Sequence, residues 1–243
     1  MAARYVKYAL APMLAAQGLA LRRRALRLPE PPGPRHGSEG KGPALSVLIA
    51  GDSSAAGVGA PHQSLALSGQ LITRLALRAR VTWRLEARTG DTTRACNTRL
   101  QALPPARFDV AVLALGVNDV TTGLPCRVWL RRQQALHDLL RMKFGVRAIY
   151  ASGLPPMGQF PLLPRSLKWV MGHEARRFDA ALSDLAAAQP DLHHVPFDLP
   201  LDVGMMADDG FHPGPKIYGL WADALAERIM SDQRIPRLDQ PAF

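Results

Sequence analysis

Between residues 44 and 232 the chain switches hydrophobic period five times, from short β-branched apolar runs to longer amphipathic stretches. Ala44–Ala50 (ALSVLIA) is a short β-branched apolar run bounded by turn residues, which reads as a buried strand. Leu65, Leu71, Ile72 and Leu75 then recur at helical spacing within 63–79. Val81–Ala87 alternates as a strand and 91–102 reads as helix. Phe108–Leu115 (FDVAVLAL) is the third strand, followed by a polar helix over 126–143. Val146–Ala151 and Leu192–Phe197 are strands four and five, with helices over 164–188 and 213–232. Strands that alternate with helices in this way must run parallel and be covered on both faces. The expectation is an α/β domain over 44–232 built on a five-stranded parallel sheet.

The flanks read differently. Residues 28–43 (LPEPPGPRHGSEGKGP) are dense in Pro and Gly and are expected to form a linker. Residues 1–27 are apolar over 5–21, with Arg22, Arg23 and Arg24 following that core rather than preceding it. A cleavable secretory signal has the opposite order, so a cytoplasmic protein is expected. Val6, Leu10, Met13, Leu14 and Leu21 fall near one helical face. This N-terminal helix would pack on the domain, meet a second copy, or lie peripherally on an anionic membrane surface. Residues 233–243 read as a tail.

The net charge of +10 is concentrated at the N-terminus, where residues 1–41 contribute +6. The body has no basic stripe with interleaved aromatics, which argues against nucleic acid as a partner. No apolar run of about 18 residues marks a transmembrane helix. Two cysteines, Cys96 and Cys126, cannot build a disulfide framework and are read as buried free thiols.

Ligands of parallel α/β sheets bind at the carboxyl ends of the strands. There the sequence places four small polar clusters: Gly51-Asp52-Ser53-Ser54, Thr89-Gly90-Asp91-Thr92, Gly116-Val117-Asn118-Asp119, and Asp208-Asp209-Gly210-Phe211-His212-Pro213. A serine hydroxyl needs a neighbouring base to attack. His212 is the candidate base, and Asp209, three residues earlier, can reach its other ring nitrogen through one turn. Gly90 offers an unobstructed N–H and Asn118 a carboxamide. With the Ser53 N–H they make three candidate donors to a developing oxyanion. Each cluster alone is unremarkable: Gly-Asp-Ser after a strand is often only a helix cap. The four together, in order and at strand ends, are not.

These blocks resemble the SGNH, or GDSL-type, serine hydrolase family: Gly51-Asp52-Ser53 with Gly57, then Gly90, then Gly116-Val117-Asn118-Asp119, then Asp209-Gly210-Phe211-His212-Pro213. The resemblance implies a flavodoxin-like three-layer α/β/α sandwich with strand order 2-1-3-4-5. It implies Ser53 as nucleophile, His212 and Asp209 as its triad partners, and Ser53, Gly90 and Asn118 around the oxyanion. Run Gly90-Asp91-Thr92 is similar to the bacterial thioesterase and lysophospholipase branch. Two positions depart from the family pattern: Ser54 stands where leucine often follows the serine, and Leu85 where asparagine often precedes the second-block glycine.

Other chemistries fit less well. Gly-x-Ser-x-Gly, a phosphate loop and GxGxxG are all absent. His173-Glu174 has Arg177 where a zinc helix needs its second histidine. His193 and His194 are adjacent in a strand and so face opposite sides. Neither a metal nor another cofactor is expected. Leu154, Met157, Phe160 and Leu162, in the loop after strand four, are candidates for an acyl-pocket wall; Met205 and Met206 either add to it or pack the core. The expected function is a serine esterase acting on small acyl esters of short to medium chain length. Alternatives on the same site are a thioesterase, a lysophospholipase or a carbohydrate O-deacetylase. A flavodoxin-like binding module is the non-enzymatic alternative, which would need the glycines but not Ser53, Asn118 and His212 together.

Overall fold

The computed structural model describes residues 26–161, 163–199, 202, 204–233 and 235. The expectations for residues 1–25, for Leu162 and for most of the tail lie outside these.

The apolar runs form the centre of the sheet because each is buried on both faces. Strand β2 (Ala44–Gly51) pairs in parallel with β3 (Arg80–Ala87) on one edge and β4 (Val110–Ala114) on the other. Strands β5 (Ala148–Ser152) and β6 (Leu192–Val195) continue beyond β4, also in parallel. In β2, β4 and β5 the cores Leu48-Ile49-Ala50, Val110-Ala111-Val112 and Ala148-Ile149-Tyr150 are fully buried. That is the pattern of a sheet covered on two sides rather than one.

The sheet has six strands, not the expected five, and is mixed rather than wholly parallel. The additional strand is β1 (His36–Glu39), which pairs antiparallel with β3 at the far edge. It falls inside the segment read as a linker. His36-Gly37-Ser38-Glu39 has no apolar signal, and its pairing depends on backbone hydrogen bonds rather than side-chain burial. A short, polar, exposed strand is a common way to close a sheet edge against intermolecular pairing. The order is β1-β3-β2-β4-β5-β6. Its parallel part keeps the 2-1-3-4-5 order of the flavodoxin-like sandwich.

Helices cover both sides of this sheet. Helix α2 (Leu67–Leu75) packs on the last helix, α7 (Pro215–Ser231). Helix α3 (Thr93–Ala102) packs on α5 (Cys126–Phe144), which in turn meets α6 (Arg165–Ala187). Two short helices, α1 (Ser53–Ala56) and α4 (Val117–Thr121), leave the carboxyl ends of β2 and β4. Strand order reverses at β2, with β3 added on one side and β4 on the other, so those ends flank the crevice where such sheets bind ligands. Cys96 and Cys126 are both buried, and neither is in a disulfide. Among the described residues no helix is long and apolar enough to cross a membrane.

One core residue carries an unmet polar demand. His137, on α5, is fully buried, and neither ring nitrogen has a hydrogen-bond partner. Burial, reinforced by the Arg141 charge, pushes its pKa down to about 4. The unfolded chain therefore binds a proton near pH 6.5 that the folded chain refuses until about pH 4. The neutral fold is favoured fully above pH 6.5, and this advantage is lost as pH falls from there towards 4. Chemical denaturation should show His137→Leu to be more stable than the parent at pH 8. The gap should widen by about 2 kcal/mol at pH 5. A constant gap across that range would remove His137 as the source of the acid sensitivity.

Candidate active site

The turn that carries Ser53 begins with a steric demand. A Cβ at Gly51 would lie 2.3 Å from the Ala114 carbonyl oxygen and 2.7 Å from the Ala55 Cβ. Only glycine lets β4 and α1 approach the end of β2 this closely. Asp52 then caps α1, its carboxylate accepting from the Ser54 N–H at 3.0 Å. This leaves Ser53 as the first helical residue, where a backbone N–H has no carbonyl to reach within its own helix. Burial pushes the Asp52 carboxyl up to about 6, against the pull of the Ser54 N–H and the nearby His212.

The histidine arrives from the opposite end of the chain on a turn knitted by one carboxylate. Asp209 Oδ1 accepts from the N–H groups of Phe211 at 3.0 Å and His212 at 2.9 Å, while Oδ2 lies 2.5 Å from His212 Nδ1. The Met206–Pro213 bridge and the Ala207 N–H donated to the His212 carbonyl at 2.9 Å close the turn. With a proton on Nδ1 donated to Asp209, Nε2 faces Ser53 Oγ at 2.9 Å and can accept its proton. Burial alone would raise the Asp209 carboxyl. Hydrogen bonds from the His212 ring and from the two N–H groups outweigh it and hold the pKa below its ordinary value. Asp209 is 4% exposed and so stays a buried anion beside the imidazole, whereas Asp208 points to solvent.

The other two clusters lie on the same edge. Asn118 donates from Nδ2 to the Asp91 carbonyl at 2.9 Å, which uses one of its two N–H bonds and leaves the other free. Gly90 has φ +85°, with nothing within 4 Å of where a side chain would begin, so its backbone is open to an approaching ligand. A buried network lies behind both. The Thr93 N–H and hydroxyl donate to Asp119 Oδ2 at 2.9 and 2.8 Å, and the same hydroxyl accepts from Trp129 Nε1 and Gln133 Nε2. It fastens the start of α3 to α4. Burial raises the Asp119 carboxyl although Thr93 and Arg132 pull the other way.

A cavity of about 40 Å³ adjoins Ser53, lined mainly by Leu115, Phe160, Phe197, Met206, Phe211 and Trp221. Phe160 packs edge-on against Phe211 at 5.0 Å, and Phe197 edge-on against Trp221 at 4.9 Å. Of the residues singled out for the acyl wall, Phe160 lines this cavity. Leu154 and Met157 are buried beside it and turned into the core, with Leu154 packed on Gly116. Met206 is at its wall. Sequence reasoning missed Phe197 and Trp221; their only local signal is an aromatic side chain just past a strand or on a helix face. His193 and His194 are held separately, His194 by Asp179 at 2.8 Å and His193 by Asp232 at 2.9 Å.

A buried carboxylate, an imidazole and a hydroxyl in series let the hydroxyl lose its proton as it attacks a carbonyl. Comparisons with known proteins give the fold and the family. Solved structures share the fold at low identity. A lipolytic G-D-S-L family member from Veillonella parvula superposes with a TM-score of 0.62 at 13% identity, over 77% of this chain and all of its own. The psychrotrophic esterase EstA from Pseudoalteromonas, solved with monoethylphosphonate, gives 0.57 at 20%, over 76% and 96% of the two chains. A carbohydrate acetylesterase from Sinorhizobium meliloti gives 0.59 at 16%, over 76% and 98%. No curated protein matches the chain. Residues 49–220, which span all four clusters, match the GDSL-like lipase/acylhydrolase family, and the chain belongs to that family.

Proposed function

We propose that this hydrolase is a serine esterase acting on carboxylic esters of short to medium acyl chains through an acyl-serine intermediate. The observation that carries the reading is the continuous relay from Asp209 Oδ2 to His212 at 2.5 Å and from His212 to Ser53 Oγ at 2.9 Å, beside an apolar cavity. In this reading Ser53 Oγ attacks the ester carbonyl as His212 Nε2 takes its proton. The same proton passes to the departing alkoxide, which leaves as the alcohol. His212 then takes a proton from water, whose oxygen attacks the acyl-serine, and returns it to Ser53 as the acid departs. Asp209 stays ionised and stabilises the imidazolium. The Ser53 and Gly90 N–H groups and Asn118 Nδ2 stabilise the oxyanion, at about 3–4 kcal/mol per donor.

The cavity weights the acyl side towards its short end. At about 40 Å³ it has room for roughly three water molecules, which suits a few carbon atoms rather than a long chain. Removal of acetyl groups from a larger alcohol, including a carbohydrate, is the second reading favoured by this volume.

A fluorophosphonate probe should label the protein covalently at Ser53, and Ser53→Ala should abolish labelling and lower ester turnover by about 10⁴-fold or more in a folded protein. Near-normal turnover in that variant would end the hydrolase reading. Asp209→Asn keeps the shape but loses the charge, and should cost about 10²–10⁴ in kcat. Asp208→Asn, measured beside it, should cost less than about tenfold. A larger loss at Asp208 would displace Asp209 from the relay. In a series of p-nitrophenyl esters the parent should favour acetyl and butyryl chains, and Phe160→Ala should move the optimum to longer ones. An unchanged profile would place the acyl group elsewhere.

A further inference from the structure

The segment before β1 reaches the turn that carries Gly90. Glu30 Oε1 accepts from the Thr89 N–H at 2.7 Å and from Thr89 Oγ1 at 2.8 Å. Its Oε2 pairs with Arg35 at 3.0 Å, and Arg35 also donates to the carbonyl of Ala87, the last residue of β3. β1 then continues antiparallel along β3. On its other side the same segment grips the nucleophile helix from behind. The Pro32 carbonyl accepts from the Gln63 N–H at 2.9 Å, and buried Gln63 donates from Nε2 to the carbonyl of Ala56, at the end of α1, at 2.8 Å.

The turn after β3 has little else to hold it. Arg88, Thr89 and Gly90 are all exposed, and no atom stands within 4 Å of a Gly90 Cβ. Two backbone bonds cross it: Arg88 N–H to the Gly51 carbonyl at 3.2 Å, and Asp91 N–H to the Arg88 carbonyl at 3.1 Å. The next residue, Asp91, orients Asn118 through its carbonyl, and its carboxylate is bound by Arg99 at 2.6 Å. Of the three proposed oxyanion donors, the Gly90 N–H therefore lies in the exposed part of the turn, and Asn118 Nδ2 is aimed by the buried residue that ends it.

We infer that Glu30 is a positioning residue for the oxyanion hole, holding the Thr89–Asp91 turn so that the Gly90 N–H and Asn118 point at the reacting carbonyl. This rests on reading Ser53, His212 and Asp209 as a hydrolytic centre. The Glu30–Arg35 pair is half-buried, and an ion pair that still meets solvent adds only modestly to stability; the bonds from Glu30 to Thr89 bear on aim. Oxyanion donors act only when placed where the charge develops, and a misplacement of about 1 Å can cost about 10²-fold in rate. Glu30 touches no substrate and works through Thr89.

The test uses the full chain, with p-nitrophenyl acetate turnover and thermal melting measured for Glu30→Ala, Glu30→Gln and Thr89→Val. Glu30→Ala should lower kcat by about 10- to 100-fold with KM within about twofold, because the lost aim acts on the transition state. Glu30→Gln keeps an oxygen that accepts from the Thr89 N–H and should recover most of that loss. Thr89→Val removes one of the two hydrogen bonds and leaves the strand pairing alone. It should lower kcat by about threefold, and it carries the test should Glu30→Ala fail to fold. An unchanged kcat in the folded variants, a change confined to KM, or an equal loss in Glu30→Gln and Glu30→Ala would overturn the positioning role. If the parent shows Ser53-dependent turnover and the variants match it, only this inference falls. If the parent shows no Ser53-dependent turnover, the hydrolase reading falls with it.

Discussion

The chemistry of this molecule depends on β2 being hydrogen-bonded along both edges while buried on both faces. Leu48, Ile49 and Ala50 have no contact with solvent, and their backbone groups are taken up by β3 and β4. A strand in that position cannot carry unpaired polar side chains along its length without a large desolvation cost. Polar groups must wait until the strand ends. There α1 begins, and its first N–H groups need partners that the helix does not supply. The same pairing that buries β2 sets the ends of β3 and β4 beside Ser53, each followed by its own polar turn. The site is thus a consequence of sheet register at one edge.

The two halves of that site are held by different means. On the imidazole side, a single carboxylate does three things: Asp209 braces two backbone N–H groups and the ring together. Because those groups are hydrogen-bond donors to an anion, they keep it ionised despite burial. On the side of Gly90 and Asn118 the support is distributed. Thr93 and Asp119 lock the starts of α3 and α4 in the interior, while the turn between β3 and α3 is tied down from outside by Glu30. Interior networks of this kind resist displacement because any unpaired member is costly. An exposed turn has no such protection and relies on the few bonds that reach it.

The cavity beside Ser53 is set by aromatic volume. Phe160 and Phe211 meet edge-on, as do Phe197 and Trp221, and the space they leave is small. These side chains come from four separate elements: the loop after β5, the segment after β6, the Asp209–His212 turn and α7. Family membership establishes a hydrolase scaffold of the GDSL-like type but leaves acyl length and leaving group to this local packing. That division is general, since a fold positions a site while loops and pocket walls decide what enters it.

How much was legible in advance follows from the range of the physics involved. Period-2 and period-3.6 patterns made the five central strands and the main helices readable, because burial on a sheet face or helix stripe is written into each segment's own side chains. Asp209 and His212 were readable as a pair because they stand three positions apart and one turn joins them. β1 was not readable: His36-Gly37-Ser38-Glu39 pairs through its backbone, which every sequence possesses. Nor could the loop 153–163 say that Phe160 would face the cavity while Leu154 and Met157 turned into the core, since all three are apolar and only their surroundings differ. Glu30 was hidden for the same reason, an ordinary acid in a Pro-rich stretch until β1 pairing laid it against Thr89. The sequence by itself determined the element types, their order and the chemical identity of the groups at the strand ends, because those depend on local pattern. Only the tertiary structure decided that Ser53 and His212, 159 residues apart, meet at 2.9 Å, and that Glu30 reaches Thr89. Such distances come from strand register and helix packing summed over the whole core, and no single segment carries that sum.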